Sequence, residues 1–126
     1  MFYARAAAIV YVLWGMLHIN SAMLVYKMGQ SLDRGMVQGR VFQDAWNLMF
    51  FALFGIVVAI FLNWKNSKAG YWGNLIVVSA GDIGFIVTMI LPGHVPWIPG
   101  GLGPLLWVSA AILSTIAIRQ KESNNA

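Results

Sequence analysis

The chain contains no cysteine and very few charged residues. Without cysteine it can form no disulfide bond, no thiolate nucleophile and no thiolate-ligated metal or cluster. Charged residues make up 10% of the 126 residues, against about 25% in a typical soluble domain. Hydrophobic residues, in contrast, reach 60%. This composition indicates a protein whose surface faces lipid rather than water.

Proline is also missing from most of the chain, because all four prolines lie within residues 91–104. A helix needs ~20 apolar residues to cross a hydrocarbon core of ~30 Å. Four runs approach that length, and they lack the polar face that a helix of a soluble protein shows. The sequence therefore predicts an all-α integral membrane protein, a single four-helix bundle over residues 1–126 with a short polar tail at 119–126. The predicted spans are residues 2–26, 42–63, 71–91 and 102–118.

The few basic residues fall outside the apolar runs and are scattered rather than gathered in a stripe. The net charge of +4 therefore does not indicate a nucleic-acid partner. Five basic residues share the side of the chain ends and three share the opposite side, which favours cytoplasmic termini. The two groups are Arg5, Lys65, Lys68, Arg119 and Lys121, and then Lys27, Arg34 and Arg40.

Two connections between the predicted spans differ in kind. Residues 27–40 contain three glycines and most of the loop charge, which is typical of a flexible extramembrane segment. Residues 91–104 contain every proline, four glycines and no formal charge, so they cannot form a regular helix. This second connection is either a re-entrant loop that caps a cavity or an ordinary surface loop with rigid turns.

Two ionisable side chains fall inside the predicted spans. Asp82 is near the middle of the third span, and His18 is ~6 Å beyond the middle of the first, toward the 27–40 side. An aspartate at the centre of a membrane helix costs ~2.5–3.5 kcal/mol on insertion scales, so it should be paired or lie next to water. Trp14 precedes His18 by one helical turn and is expected on the same face.

The second span begins with a polar stripe. Asn47 follows Gln43 by four residues and Asp44 by three, so the three side chains share one helix face. By depth they lie on the same side of the membrane as His18. We therefore expect this stripe to face Asp82 across a shared interior, forming a polar pocket in one half of the bundle.

We assign roles to these residues as hypotheses, each with a structural alternative. Asp82 and His18 are candidate proton donors and acceptors, and otherwise they only join helices. Asp44 is a third catalytic candidate, or a carboxylate that caps a helix start. The remaining candidates would bind substrate. As alternatives, they join helices by hydrogen bonds, anchor the chain at the membrane interface or are simply exposed. They are Gln43, Asn47, Trp14, Arg40 and His94.

The function that this pattern favours is binding or conversion of a lipophilic small molecule that enters from the bilayer or from the outer face. Acid–base chemistry without a cofactor would suit an isomerase or a hydratase or hydrolase. A proton-coupled small-molecule transporter and a non-catalytic subunit of a membrane complex are the alternatives. In each case we expect a homo-oligomer or a partner membrane subunit, because so small a chain has little surface with which to enclose a site.

No cofactor or metal is predicted. The chain has two histidines, but no histidine or carboxylate pair has the spacing of a metal motif such as H-x-x-x-H. His18 could still serve as an axial haem ligand.

Overall fold

The computed structural model of residues 1–126 consists of helices and connecting turns, with no β-strand. Its long helices are α1 (Phe2–Gln30), α2 (Met36–Phe61), α3 (Lys68–Phe85) and α5 (Leu102–Asn124), and α4 (Trp97–Gly100) is short. A 3-10 turn, Asn63–Lys65, follows α2, and a π-helical turn, Ile86–Ile90, continues α3. Four segments are long and apolar enough to cross a membrane. The predicted all-α, multi-pass membrane architecture is confirmed.

The α1–α2 connection differs from its prediction. Helix α1 continues to Gln30 and α2 begins at Met36. Of the expected flexible segment 27–40, only the five residues 31–35 form the turn between the two helices. The side-chain amide of Gln38 closes it by donating to the carbonyl oxygens of Gly29 at 3.0 Å and Leu32 at 3.2 Å. Hydropathy marks where a helix leaves lipid, whereas Lys, Gln and Met favour its continuation into water. The two helices therefore extend into this segment, and its position outside the membrane stays a prediction.

The four long helices form a bundle in which α1 packs against α2 and α5. Helix α3 also packs against α2 and α5, so α1 and α3 face each other diagonally across the centre. Both chain ends and the α2–α3 turn lie at one end of the bundle, called here the terminal end. The α1–α2 turn and the α3–α5 connection lie at the other, the loop end.

Small buried residues at seven-residue spacing bring α1 close to its neighbours. A Cβ added at Gly15 would lie 2.9 Å from the Ala52 carbonyl oxygen, so these two backbones nearly touch. Membrane helices associate through such small residues because lipid supplies no hydrophobic drive between them. The stripes are Ala8, Gly15, Ala22 and Gly29 on α1, Ala45, Ala52 and Ala59 on α2, and Gly103, Ala110 and Ala117 on α5.

Helix α3 buries every fourth residue along one stripe: Gly70, Asn74, Val78 and Asp82. Residues at this spacing lie nearly above one another on a helix. Two of the four are polar, so α3 carries an amide and a carboxylate into the bundle. Its stripe sets the position of the candidate site.

We expect Gly15→Ala to destabilise the bundle by about 1–3 kcal/mol, as overpacked cores typically do. Its new methyl group would meet Ile56 Cγ1, Ile56 Cδ1 at 2.8 Å and the Ala52 oxygen at 2.9 Å. The matched control is Gly81→Ala, where the added carbon has no neighbour within 4 Å and helix propensity favours alanine. Unfolding titrations in mixed micelles, followed by circular dichroism, would measure both. Equal stability of the two variants would contradict the proposed close packing.

Candidate functional site

Three side chains meet where α1 and α3 face each other. The indole Nε1 of Trp14 donates a hydrogen bond to Oδ2 of Asp82 at 3.0 Å. The imidazole Nε2 of His18 lies 3.4 Å from the other carboxyl oxygen, Oδ1. Trp14, His18 and Asp82 are called here the Trp–His–Asp cluster, and it links the two diagonal helices through the bundle centre.

The orientation of His18 is set by its own helix. Because it follows Trp14 by four residues, the two rings stack with centroids 4.0 Å apart and planes inclined by 25°. The imidazole Nδ1 lies 2.8 Å from the Trp14 carbonyl oxygen. The stacking and this contact together direct Nε2 toward Asp82.

Glycines on the other two long helices make room for the cluster. A Cβ at Gly55 of α2 would lie 3.1 Å from the Trp14 ring, and one at Gly103 of α5 would lie 3.2 Å from His18 Cε1. A larger residue at either position would press on an aromatic ring of the cluster. All four long helices therefore shape this point of the core.

The contacts of His18 define how many protons the cluster holds. The Trp14 carbonyl can only accept, so Nδ1 must carry a hydrogen. In a neutral imidazole Nε2 would then present a lone pair, facing Oδ1 of Asp82. That oxygen is buried and has no other partner. The facing atoms are compatible only if one proton lies between them, either on Nε2 beside a carboxylate or on Oδ1 beside a neutral ring.

The cluster is closed in this structure. Trp14 and Asp82 are 0% exposed, and the His18 side chain retains 13%. The sequence led us to expect a polar pocket around Asp82, but Asp82 has no exposed surface in this structure. A Cβ added at Gly81 or Gly84, beside it, would have no atom within 4 Å, so no other helix packs closely against these two glycines. Only His18 connects the cluster to the outside.

The polar stripe at the start of α2 does not join the cluster. Gln43, Asp44 and Asn47 are all exposed, and Gln43 accepts a hydrogen bond from Arg40 Nη1 at 2.8 Å. The expected shared interior is therefore absent, because α2 turns its small residues toward α1 and leaves this stripe outside. His94 is likewise exposed, in the α3–α5 connection. Substrate-binding or catalytic roles for these five residues remain predictions.

Buried polar groups instead continue from Asp82 toward the terminal end of the bundle. The Asn74 side-chain amide donates to the Gly55 carbonyl oxygen at 3.1 Å and to Asn63 Oδ1 at 2.8 Å. Ser114 and the Tyr11 hydroxyl are buried in the same half. The four-residue spacing of Asn74, Val78 and Asp82 was the sequence signal for this arrangement, and the sequence-based prediction did not use it.

The structure also bears on metals and haem. No three side chains among the histidines and carboxylates come together in a way that could hold a metal ion. Both ring nitrogens of His18 are already engaged, one with a carbonyl and one facing Asp82. Axial ligation of haem would have to separate His18 from Asp82.

Comparisons with known proteins add no assignment: no family model, no curated protein and no solved structure matches this chain. What the protein does must therefore be inferred from the geometry of the Trp–His–Asp cluster and its surroundings.

We expect Trp14→Phe to destabilise the protein by at least about 1–3 kcal/mol, the typical cost of leaving a buried acceptor without its donor. The substitution removes the hydrogen bond to Asp82 Oδ2 and part of the ring packing. Trp46→Phe is the control, since Trp46 is 78% exposed and its loss should change stability little. Unfolding titrations in micelles would compare the two, and similar values for both would exclude an energetic role of the Trp14–Asp82 bond.

Proposed function

We propose that the protein is a proton-coupled transporter of a small lipophilic or cationic molecule, with His18 and Asp82 as its proton site. The observation that carries this proposal is the closed His18–Asp82 pair, which needs one proton and joins the diagonal helices α1 and α3. Ionisable groups near the membrane midplane commonly mark proton relays and coupling sites.

Polar groups on both sides of the pair support transport over a one-sided pocket. His18 reaches the exterior in the loop half of the bundle. Asn63 and Asn74 are buried in the terminal half, 5% and 0% exposed. A transporter must hydrate or satisfy polar groups on each side of its site in turn, and this distribution suits that requirement.

The proton count suggests how coupling would work. With one shared proton the pair has no net charge, whether it is a carboxylic acid beside a neutral imidazole or a carboxylate beside an imidazolium. In this state the pair holds the two helices together. Loss of that proton leaves a carboxylate on Asp82 that faces the lone pair of His18 Nε2. A second proton leaves an imidazolium on His18 with no carboxylate to pair with. Either change weakens the attraction between His18 and Asp82 and places an uncompensated charge in the core, which is strongly unfavourable. The helices would then separate, admitting water or a substrate cation to Asp82.

We expect Asp82→Asn to preserve the fold and abolish coupling. An asparagine oxygen can accept from Trp14 and its amide can donate to neutral His18, so every contact is kept without a transferable proton. Asp33→Asn, which changes an exposed carboxylate in the α1–α2 turn, is the matched control.

The assay would use proteoliposomes with an imposed pH gradient, tetraphenylphosphonium as the probe cation and an internal pH dye. The unchanged protein and the Asp33→Asn variant should move protons when the probe is added, and the Asp82→Asn variant should not. Equal proton movement with the Asp82→Asn variant would rule out this site as the coupling group.

An acid–base enzyme acting on a lipophilic molecule, of isomerase or hydratase or hydrolase type, is the second candidate. It is favoured by the residual exposure of His18, which a substrate could contact, with Asp82 as the partner that orients the ring. Turnover of a substrate in detergent, without vesicles or a gradient, would separate this function from transport.

Assembly with a second copy or a partner subunit is a further part of the proposal. The exposed stripe of Gln43, Asp44 and Asn47 would be costly against lipid and would be covered in an oligomer. Cytoplasmic placement of both chain ends also stays a prediction, as does the alternative role of a non-catalytic subunit.

A further inference from the structure

An apolar groove runs along the outside of α1 and α2 in the terminal half of the bundle. Its volume is about 380 Å³, within the range of small-molecule pockets. Its lining residues are all hydrophobic, and three of them, Ile9, Leu13 and Ile60, are about half exposed toward lipid. The full lining is Ala8, Ile9, Val12, Leu13, Ile60 and Trp64.

The side chain of Arg5 lies at the terminal end of this groove and carries a positive charge. Arg5 precedes Ile9 by one helical turn, so it lies on the groove face of α1. Its guanidinium carbon is 5.3 Å from the centre of the Trp64 ring, a cation–π geometry. Stacking on Trp64 holds the guanidinium at the mouth of the groove and leaves its N–H groups free to donate.

No carboxylate neutralises this cation. The terminal end carries five basic side chains and one acidic one, Glu122. Glu122 pairs with Lys68 at 2.9 Å, and Arg5 takes part in no salt bridge. Lys65, the residue after Trp64, lines an adjoining polar cavity of about 410 Å³ together with Lys121. An apolar slot thus ends at a positively charged surface.

We infer that this groove binds an anionic phospholipid, with one acyl chain along the α1–α2 groove and the headgroup phosphate on Arg5 and Lys65. The planar guanidinium matches phosphate geometry in a way that an ammonium does not. The apolar lining offers no polar group that would orient any other kind of ligand. The bilayer delivers such a lipid directly to this exposed face, and the site is separate from the Trp–His–Asp cluster.

The test is native mass spectrometry of the full chain with phosphatidylglycerol and phosphatidylcholine of identical acyl chains. The unchanged protein should retain phosphatidylglycerol preferentially. Arg5→Gln should weaken phosphatidylglycerol binding about tenfold, the usual effect of losing a charged hydrogen-bonding partner. It should weaken phosphatidylcholine binding less, because the choline cation already offsets the charge of that phosphate. Arg119→Gln, at an exposed position on the same end of the bundle, is the matched control and should change neither.

Two further arms identify the ligand. Val12→Phe, which fills the groove and keeps Arg5, should lower retention of both lipids. Inorganic phosphate should fail to displace phosphatidylglycerol, since it lacks the acyl chain; efficient displacement would indicate a free-phosphate site and overturn the lipid assignment. Equal retention of the two lipids, or equal effects of Arg5→Gln and Arg119→Gln, would also overturn it.

Discussion

The hydrogen bond from the Trp14 indole to Asp82 is the interaction on which the centre of this bundle depends. A carboxylate at the middle of a membrane helix costs several kcal/mol unless both of its oxygens find partners. Trp14 supplies one partner at 3.0 Å and His18 faces the other oxygen at 3.4 Å. The need to hold both rings against α3 explains why glycines, Gly55 and Gly103, stand opposite them on α2 and α5.

The sequence predicted much of this arrangement because depth along a membrane helix can be counted from hydropathy and helical rise. Four spans were correctly identified, and the one-turn spacing of Trp14 and His18 placed them on one face. What the sequence did not reveal was which face of each helix turns inward. Polarity was used as the guide, and it failed on α2, where Asp44 and Asn47 lie outside.

Residue size decides that question in lipid, because close backbone approach replaces the hydrophobic effect as the source of helix association. The stripe of Ala45, Ala52 and Ala59 therefore faces α1. The polar residues at the start of α2 are consequently left on the outside of the bundle. The sequence did not predict that Asn63 and Asn74 are buried, because it did not establish which face of each helix turns inward. Asn74 shares the four-residue stripe of Asp82 on α3, and its amide secures the α2 backbone at Gly55.

We infer from the contacts of His18 that its Nδ1 carries a hydrogen and that its Nε2 shares one further proton with Asp82. Nitrogen-15 NMR of the imidazole in lipid bilayers tests this most directly, with His94→Gln used to leave His18 as the single histidine signal. We predict a protonated Nδ1 and an Nε2 that shares a proton with the carboxyl group, with that interaction lost in an Asp82→Leu variant. An unprotonated Nδ1, or an Nε2 signal that Asp82→Leu leaves unchanged, would show that His18 and Asp82 share no proton.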